Sequence, residues 1–120
     1  MKRNYYPYLA VIWFILMLLV LFLPGSATPE APKFIPHFDK WVHGIIFAVL
    51  TWLTLNALVS ESTHRLLPLC FIVFIVFFAL LSEVIQAYWI PNRGGDVWDF
   101  MADSLGIVIA ISVYWITRTR

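Results

Sequence analysis

Nine polar residues in three short segments have the types and spacing to do chemistry: Asp39, Lys40 and His43; Glu83 and Gln86; and Arg93, Asp96, Asp99 and Asp103. Asp39 and His43 are four apart, so on a helix they share a face and can hydrogen-bond. In that pairing His43 is a candidate general base whose tautomer the carboxylate fixes. Glu83 and Gln86 are three apart and again share a face, and Glu83 is a candidate general acid. Asp96, Asp99, Asp103 and Gly106 fall at i, i+3, i+7 and i+10, a single helical stripe, with Asp99 the third catalytic candidate. Arg93, Lys40 and His43 could read an anionic headgroup, with the acids positioning them. Alternatively Asp96, Asp99 and Glu83 could hold Mg²⁺ through oxygen ligands while Arg93 clamps a phosphate. The D-x-x-D spacing is short and common, so no metal and no resident cofactor are assigned from it. The chain has no Walker loop, nucleophile elbow or H-E-x-x-H motif.

The elements that must position these groups follow from composition. The 120 residues are 62% hydrophobic and only 12% charged, with a mean hydropathy of +0.85. A soluble domain carries about twice that charged fraction, so the solvent that suits this chain is a bilayer. A net charge of +1 leaves no basic patch for nucleic acid. Cys70 is the sole cysteine, which excludes an internal disulfide and a cysteine metal cage. Apolar stretches at 8–23, 41–59, 66–90 and 97–116 predict an all-α integral membrane bundle of four transmembrane helices, one domain over 1–120. Pro24 and Gly25 end the first stretch, and Pro91-Asn92-Arg93-Gly94-Gly95 is a strong turn signal. The competing reading of the first stretch is a secretory signal, with Lys2 and Arg3 as its basic start and Gly25-Ser26-Ala27 as a cleavage site. Its apolar length exceeds the usual signal core, which favours a retained span.

In an up-down bundle the first and third loops lie at the same end. Those loops and the adjoining helix ends carry all nine residues, against Glu61, His64 and Arg65 in the second loop. A charge in lipid costs several kcal/mol, so such groups turn inward and pair. The plainer structural reading is that ion pairs hold the bundle together and that Asp96 and Asp99 favour a helix N-terminus. Five basic residues at the termini and second loop, against Lys33, Lys40 and Arg93, favour both termini in the cytoplasm and the polar end outside. A proton pathway would have to continue through Phe71–Leu81, which offers nothing polar. His37 and His64 read as solvated loop histidines, Ser82 as a packing serine, and Asn56 as a helix-to-helix hydrogen bond. Trp41, Trp89 and Trp98 read as an interfacial belt.

The ordered set Phe38-Asp39-Lys40-Trp41-Val42-His43, Ser82-Glu83-Val84-Ile85-Gln86 and Pro91-Asn92-Arg93 through Asp96, Asp99 and Gly106 resembles the VanZ-like family of small bacterial membrane proteins. The resemblance covers the chain from the end of the first span to the fourth. One departure is Asp103, where the family often has Asn before the Leu-Gly pair. The family's naming member is associated with resistance to the lipoglycopeptide teicoplanin. The resemblance therefore implies a multi-pass protein of the bacterial cytoplasmic membrane with a role in the cell envelope. The expected partners are membrane lipids and a lipidated or lipid-linked envelope ligand bound at the polar end. A membrane-embedded enzyme acting on a phosphate-bearing lipid and a purely structural bundle stay open as alternatives.

Overall fold

The computed structural model describes residues 4–59 and 66–118. Among these, all regular structure is helical: α1 (Tyr6–Leu21), a single 3₁₀ turn (Gly25–Ala27), α2 (Phe38–Val59), α3 (Leu66–Trp89) and α4 (Val97–Arg118). Glu61, His64 and Arg65, expected in the second loop, lie outside the described residues, as do Lys2, Arg3 and Arg120. Helices α2, α3 and α4 are each long and apolar enough to cross a membrane. At 16 residues, α1 spans ~24 Å and is about one turn short of the roughly 20 residues a crossing takes.

Local chemistry sets the ends. Pro7 sits in the first turn of α1, where its missing N–H is no loss. The helix closes when the Phe22 N–H returns to the Leu18 carbonyl, and Pro24 prevents its continuation. It therefore starts and stops two residues earlier than the hydropathy of 8–23 suggests. Helix α2 begins three residues before the expected 41. His37 adopts a left-handed φ of 54°, and its carbonyl receives the Lys40 and Trp41 N–H groups. Asp39 and Lys40 consequently belong to the first turn of α2 and not to the loop.

Helix α2 is the hub, packing against α1, α3 and most extensively α4. Its buried residues, from His43 through Phe47, Leu50 and Leu55, run most of its length. Helix α3 buries one stripe (Ile75, Phe78, Ala79, Ser82, Glu83, Gln86) and α4 another (Asp99, Asp103, Gly106, Ile107, Ala110, Tyr114). Each stripe follows the i, i+3, i+4, i+7 repeat of a single helix face. The opposite faces show Phe74, Phe77, Leu80, Leu105, Val108 and Ile109 outward, as lipid contact requires. Helix α1 is apolar all round and buries only Met17 and Leu21. It is tied to α2 by the Trp13 indole, which donates to the Ile46 carbonyl at 2.9 Å, and to α3 by an edge-on Phe14–Phe78 pair.

Helices α2 and α4 meet backbone to backbone. A Cβ on Gly106 would collide with the Gly44 carbonyl, and one on Gly44 would come within 3.3 Å of the Ala102 carbonyl. Small residues permit this approach where no hydrophobic force drives helices together in lipid. Two other glycines close the polar end. Gly25 donates its N–H to the Pro91 carbonyl at 3.0 Å, and Gly95 lies against the backbone of Glu83. A Cβ on Gly94, one residue away, would meet nothing within 4 Å. Gly106→Ala should therefore lower unfolding stability in detergent by about 1–3 kcal/mol, the usual cost of overpacking. Gly94→Ala, followed by the same denaturation curve, should change it by no more than about 0.5 kcal/mol.

Candidate functional site

The first turn of α2 brings Lys40 over the start of α4. Its Nζ is 3.0 Å from Asp39 Oδ2, 2.9 Å from Asp96 Oδ2 and 3.0 Å from Asp99 Oδ1. Asp96 is the N-cap of α4: its Oδ1 accepts the Trp98 N–H at 2.9 Å, the usual way a free amide at a helix start is satisfied. The Lys40 ammonium and the Trp98 N–H together hold the Asp96 carboxyl below its ordinary value. Its contribution to stability is thus present at neutral pH and lost as pH falls through that lowered value. Of the stripe read from sequence, Asp99, Asp103 and Gly106 share the buried face of α4, whereas Asp96 precedes the helix as its cap. Asp96 and Asp99 turn to Lys40, whereas Asp103 lies one turn deeper and faces a different partner.

That partner is His43. Its Nδ1 is 3.1 Å from Asp103 Oδ1 and 3.5 Å from Glu83 Oε1. All three side chains are buried, Asp103 completely. The pairing of His43 with Asp39 expected from their four-residue spacing does not form, because Asp39 is exposed and reaches Lys40 instead. The Glu83 Oε2 accepts the Asp96 N–H at 2.9 Å, joining α3 to the start of α4. Glu83 Oε1 and Asp103 Oδ2 are buried without a hydrogen-bond partner.

Gln86 and Arg93 bind the end of α1. Gln86, almost fully buried, donates from Nε2 to the Leu21 carbonyl at 2.8 Å. Arg93 Nη1 donates to the Val20 and Leu23 carbonyls, each at 3.1 Å. Both satisfy carbonyls that a helix C-terminus leaves free. The three groups expected to read an anion are therefore engaged by the protein's own acceptors: Arg93 by carbonyls, Lys40 by three carboxylates, His43 by Asp103 and Glu83. The oxygen set Asp96, Asp99 and Glu83 does not assemble as a metal site either, since two of its members bind Lys40. Among the described residues the donors that do converge are His43, Glu83 and Asp103, with ligating atoms all within 4.8 Å of one another.

Two open spaces flank the Lys40 network. One, about 860 Å³, lies beneath the Gly25–Ala31 segment and is lined by Asp39, His43, Gln86, Arg93 and Asp99, with Glu30 and Thr28 above. The other, about 350 Å³, is a groove along α2 and α4 with Gly44, Ala48, Ala102 and Gly106 as small residues. Trp41, Ile45, Leu105 and Ile109 complete its lining, and Lys40 stands at its polar end. Sequence reasoning passes over Gly44 and takes Gly25 and Gly95 as turn residues. Their signal was a glycine beside His43 and glycines at both turns, meaningful only once the helices are in register. Of the residues set aside, buried Ser82 donates to the Ala79 carbonyl of its own helix, and Asn56 donates to the Trp52 carbonyl one turn back. Comparison with protein-family models, curated proteins and solved structures yields no match.

Replacing Lys40 by Met keeps the aliphatic stem but strands Asp99 as a nearly buried carboxylate. Lys40→Met should cost on the order of 1–3 kcal/mol in detergent unfolding. Adding Asp99→Leu should restore part of the loss, because it removes the orphaned charge.

Proposed function

We propose that this chain is a multi-pass protein of the bacterial envelope membrane, of the VanZ-like kind, that binds a lipidated or lipid-linked amphiphile at its polar end. The observation that carries the reading is the apolar groove between α2 and α4, which ends at Lys40, with the larger cavity on the far side bordered by the Lys40 partners Asp39 and Asp99. A tail in the groove leaves the head of the same molecule at the cavity. The carboxylates there outnumber the free cations, so the favoured head offers hydroxyl or amino groups to Asp39, Asp99 and Glu30 rather than a bare phosphate. Glycosylated, tailed peptides of the teicoplanin type have that chemistry, which makes altered susceptibility to lipidated glycopeptides the physiological expectation. The distribution of basic residues supports an extracytoplasmic polar end with both termini in the cytoplasm.

Ala48 lines the groove and lies away from the ionic network. Native mass spectrometry of the purified protein should detect a retained amphiphile on the wild type and its loss on Ala48→Trp. Equal retention by both proteins would remove the groove from the reading.

A second reading is favoured by one arrangement. His43 borders the cavity and is held by Asp103 at 3.1 Å, the geometry of an oriented general base. On this reading the protein transforms a phosphate-bearing envelope lipid. Envelope lipids from cells expressing the wild type should then contain a species that reverts in cells expressing Glu83→Gln at equal membrane levels. An unchanged lipid profile leaves binding alone.

A further inference from the structure

We infer that His43, Glu83 and Asp103 form a binding site for one first-row divalent cation such as Zn²⁺. The inference goes beyond amphiphile binding and does not rest on it. Its basis is geometric. Three donors from three helices converge with no fixed cation among them, and two of their oxygens, Glu83 Oε1 and Asp103 Oδ2, are buried with no hydrogen bond. Native structures rarely leave buried polar atoms unpaired, and a place kept for an ion is one established reason when they do.

The separations suit a metal. With metal–donor distances of about 2.1 Å, tetrahedral coordination puts donor atoms roughly 3.4 Å apart. His43 Nδ1 stands 3.1 Å from Asp103 Oδ1 and 3.5 Å from Glu83 Oε1, and no pair of the three exceeds 4.8 Å. Charge points the same way. Two carboxylates and a neutral imidazole, formed as the cation displaces their protons, balance the charge of a dication. The facing groups on neighbouring elements supply no alternative cation. Lys40 on α2 is held by Asp39, Asp96 and Asp99, Gln86 on α3 is neutral and bonded to Leu21, and α1 contributes no ionisable side chain here.

One nitrogen with two carboxylate oxygens favours Zn²⁺ or Mn²⁺ over Mg²⁺, which dehydrates reluctantly and keeps its own waters. His43 borders the 860 Å³ cavity, so an ion has a route in, and a water or ligand group can complete its coordination from that side. Asp103 supplies the second carboxylate of the site. An asparagine there would leave a single carboxylate and a weaker site.

The test uses the full chain, without a histidine tag, purified in detergent and stripped with a chelator. Zn²⁺ added to it should bind at one ion per chain by calorimetry and raise the unfolding temperature, while Mg²⁺ at the same concentration should not. Asp103→Asn and His43→Gln should each weaken Zn²⁺ binding at least about tenfold, since loss of even an outer-shell partner costs about 10–100-fold. His37→Asn, at an exposed histidine before α2 whose left-handed backbone an asparagine tolerates, should leave binding unchanged. If the variants do not fold, zinc-edge X-ray absorption of the wild type decides: one imidazole and oxygen donors are expected. No stoichiometric uptake, undiminished binding by folded Asp103→Asn and His43→Gln, or a site with two or more imidazoles would overturn the assignment. The chain's three histidines make that last outcome a real alternative. None of these readouts involves an amphiphile, so failure here and failure of the groove reading are separable.

Discussion

The polar end depends on how closely α2 and α4 approach at Gly44 and Gly106. Where a Cβ on one helix would strike the carbonyl of the other, the axes come together further than larger residues allow, and the register is fixed with them. Lys40 and His43, three apart on α2, then face Asp99 and Asp103, four apart on α4. A separation greater by a side chain's width would take both contacts beyond hydrogen-bond range. The glycine pair is thus a positioning device: two residues without chemistry of their own set the α2–α4 distances at the site.

Charge distribution divides the site into two layers. The outer layer, Lys40 with Asp39, Asp96 and Asp99, is partly open to solvent and gives Lys40 more carboxylates than it can neutralise. The inner layer, His43 with Glu83 and Asp103, is buried and has no Lys or Arg in contact. In a low-dielectric setting a buried polar atom without a hydrogen bond is expensive, and the inner layer holds two of them, Glu83 Oε1 and Asp103 Oδ2. Such exceptions concentrate at functional sites, where a ligand completes what the protein leaves open. A plain ion-pair adhesive between helices would need neither the excess acid nor the two orphaned oxygens.

Much of this was legible in the sequence, and what escaped is physically intelligible. Helix number and approximate limits follow from apolar length and from Pro24 and Pro91, and the convergence of the polar groups follows from up-down connectivity. The inward stripe of Asp99, Asp103 and Gly106 follows from helical periodicity, which is local. The partners did not follow. His43 has a carboxylate four residues away in sequence at Asp39, and only the crossing of α2 with α4 turns it toward Asp103 instead. Arg93 reads as an anion binder because its charge is visible in the sequence, whereas the helix-end carbonyls that claim it belong to α1, some 70 residues earlier. Local spacing identifies faces; it does not identify which face meets which.

The Lys40 network also explains why tail and head of one molecule would be treated separately. On its α2/α4 flank the surface is apolar and narrow, with Gly44, Ala48, Ala102 and Gly106 leaving room for methylene groups and only Lys40 and the Trp41 indole offering hydrogen-bonding side chains. On the other flank, beside residues 25–31, the lining mixes ionisable side chains with apolar ones such as Val20, Phe38 and Val42, and the space is more than twice as large. A free lipid chain gains little by leaving the bilayer for such a groove, because lipid tails are already an apolar solvent. Affinity must therefore come from the head, where carboxylates and the inner layer can make directed contacts in a partly desolvated cavity. On the proposed reading the groove would act as a ruler, selecting molecules whose tail starts at the level of Lys40, and discrimination among them would fall to the groups that face His43 and Asp99.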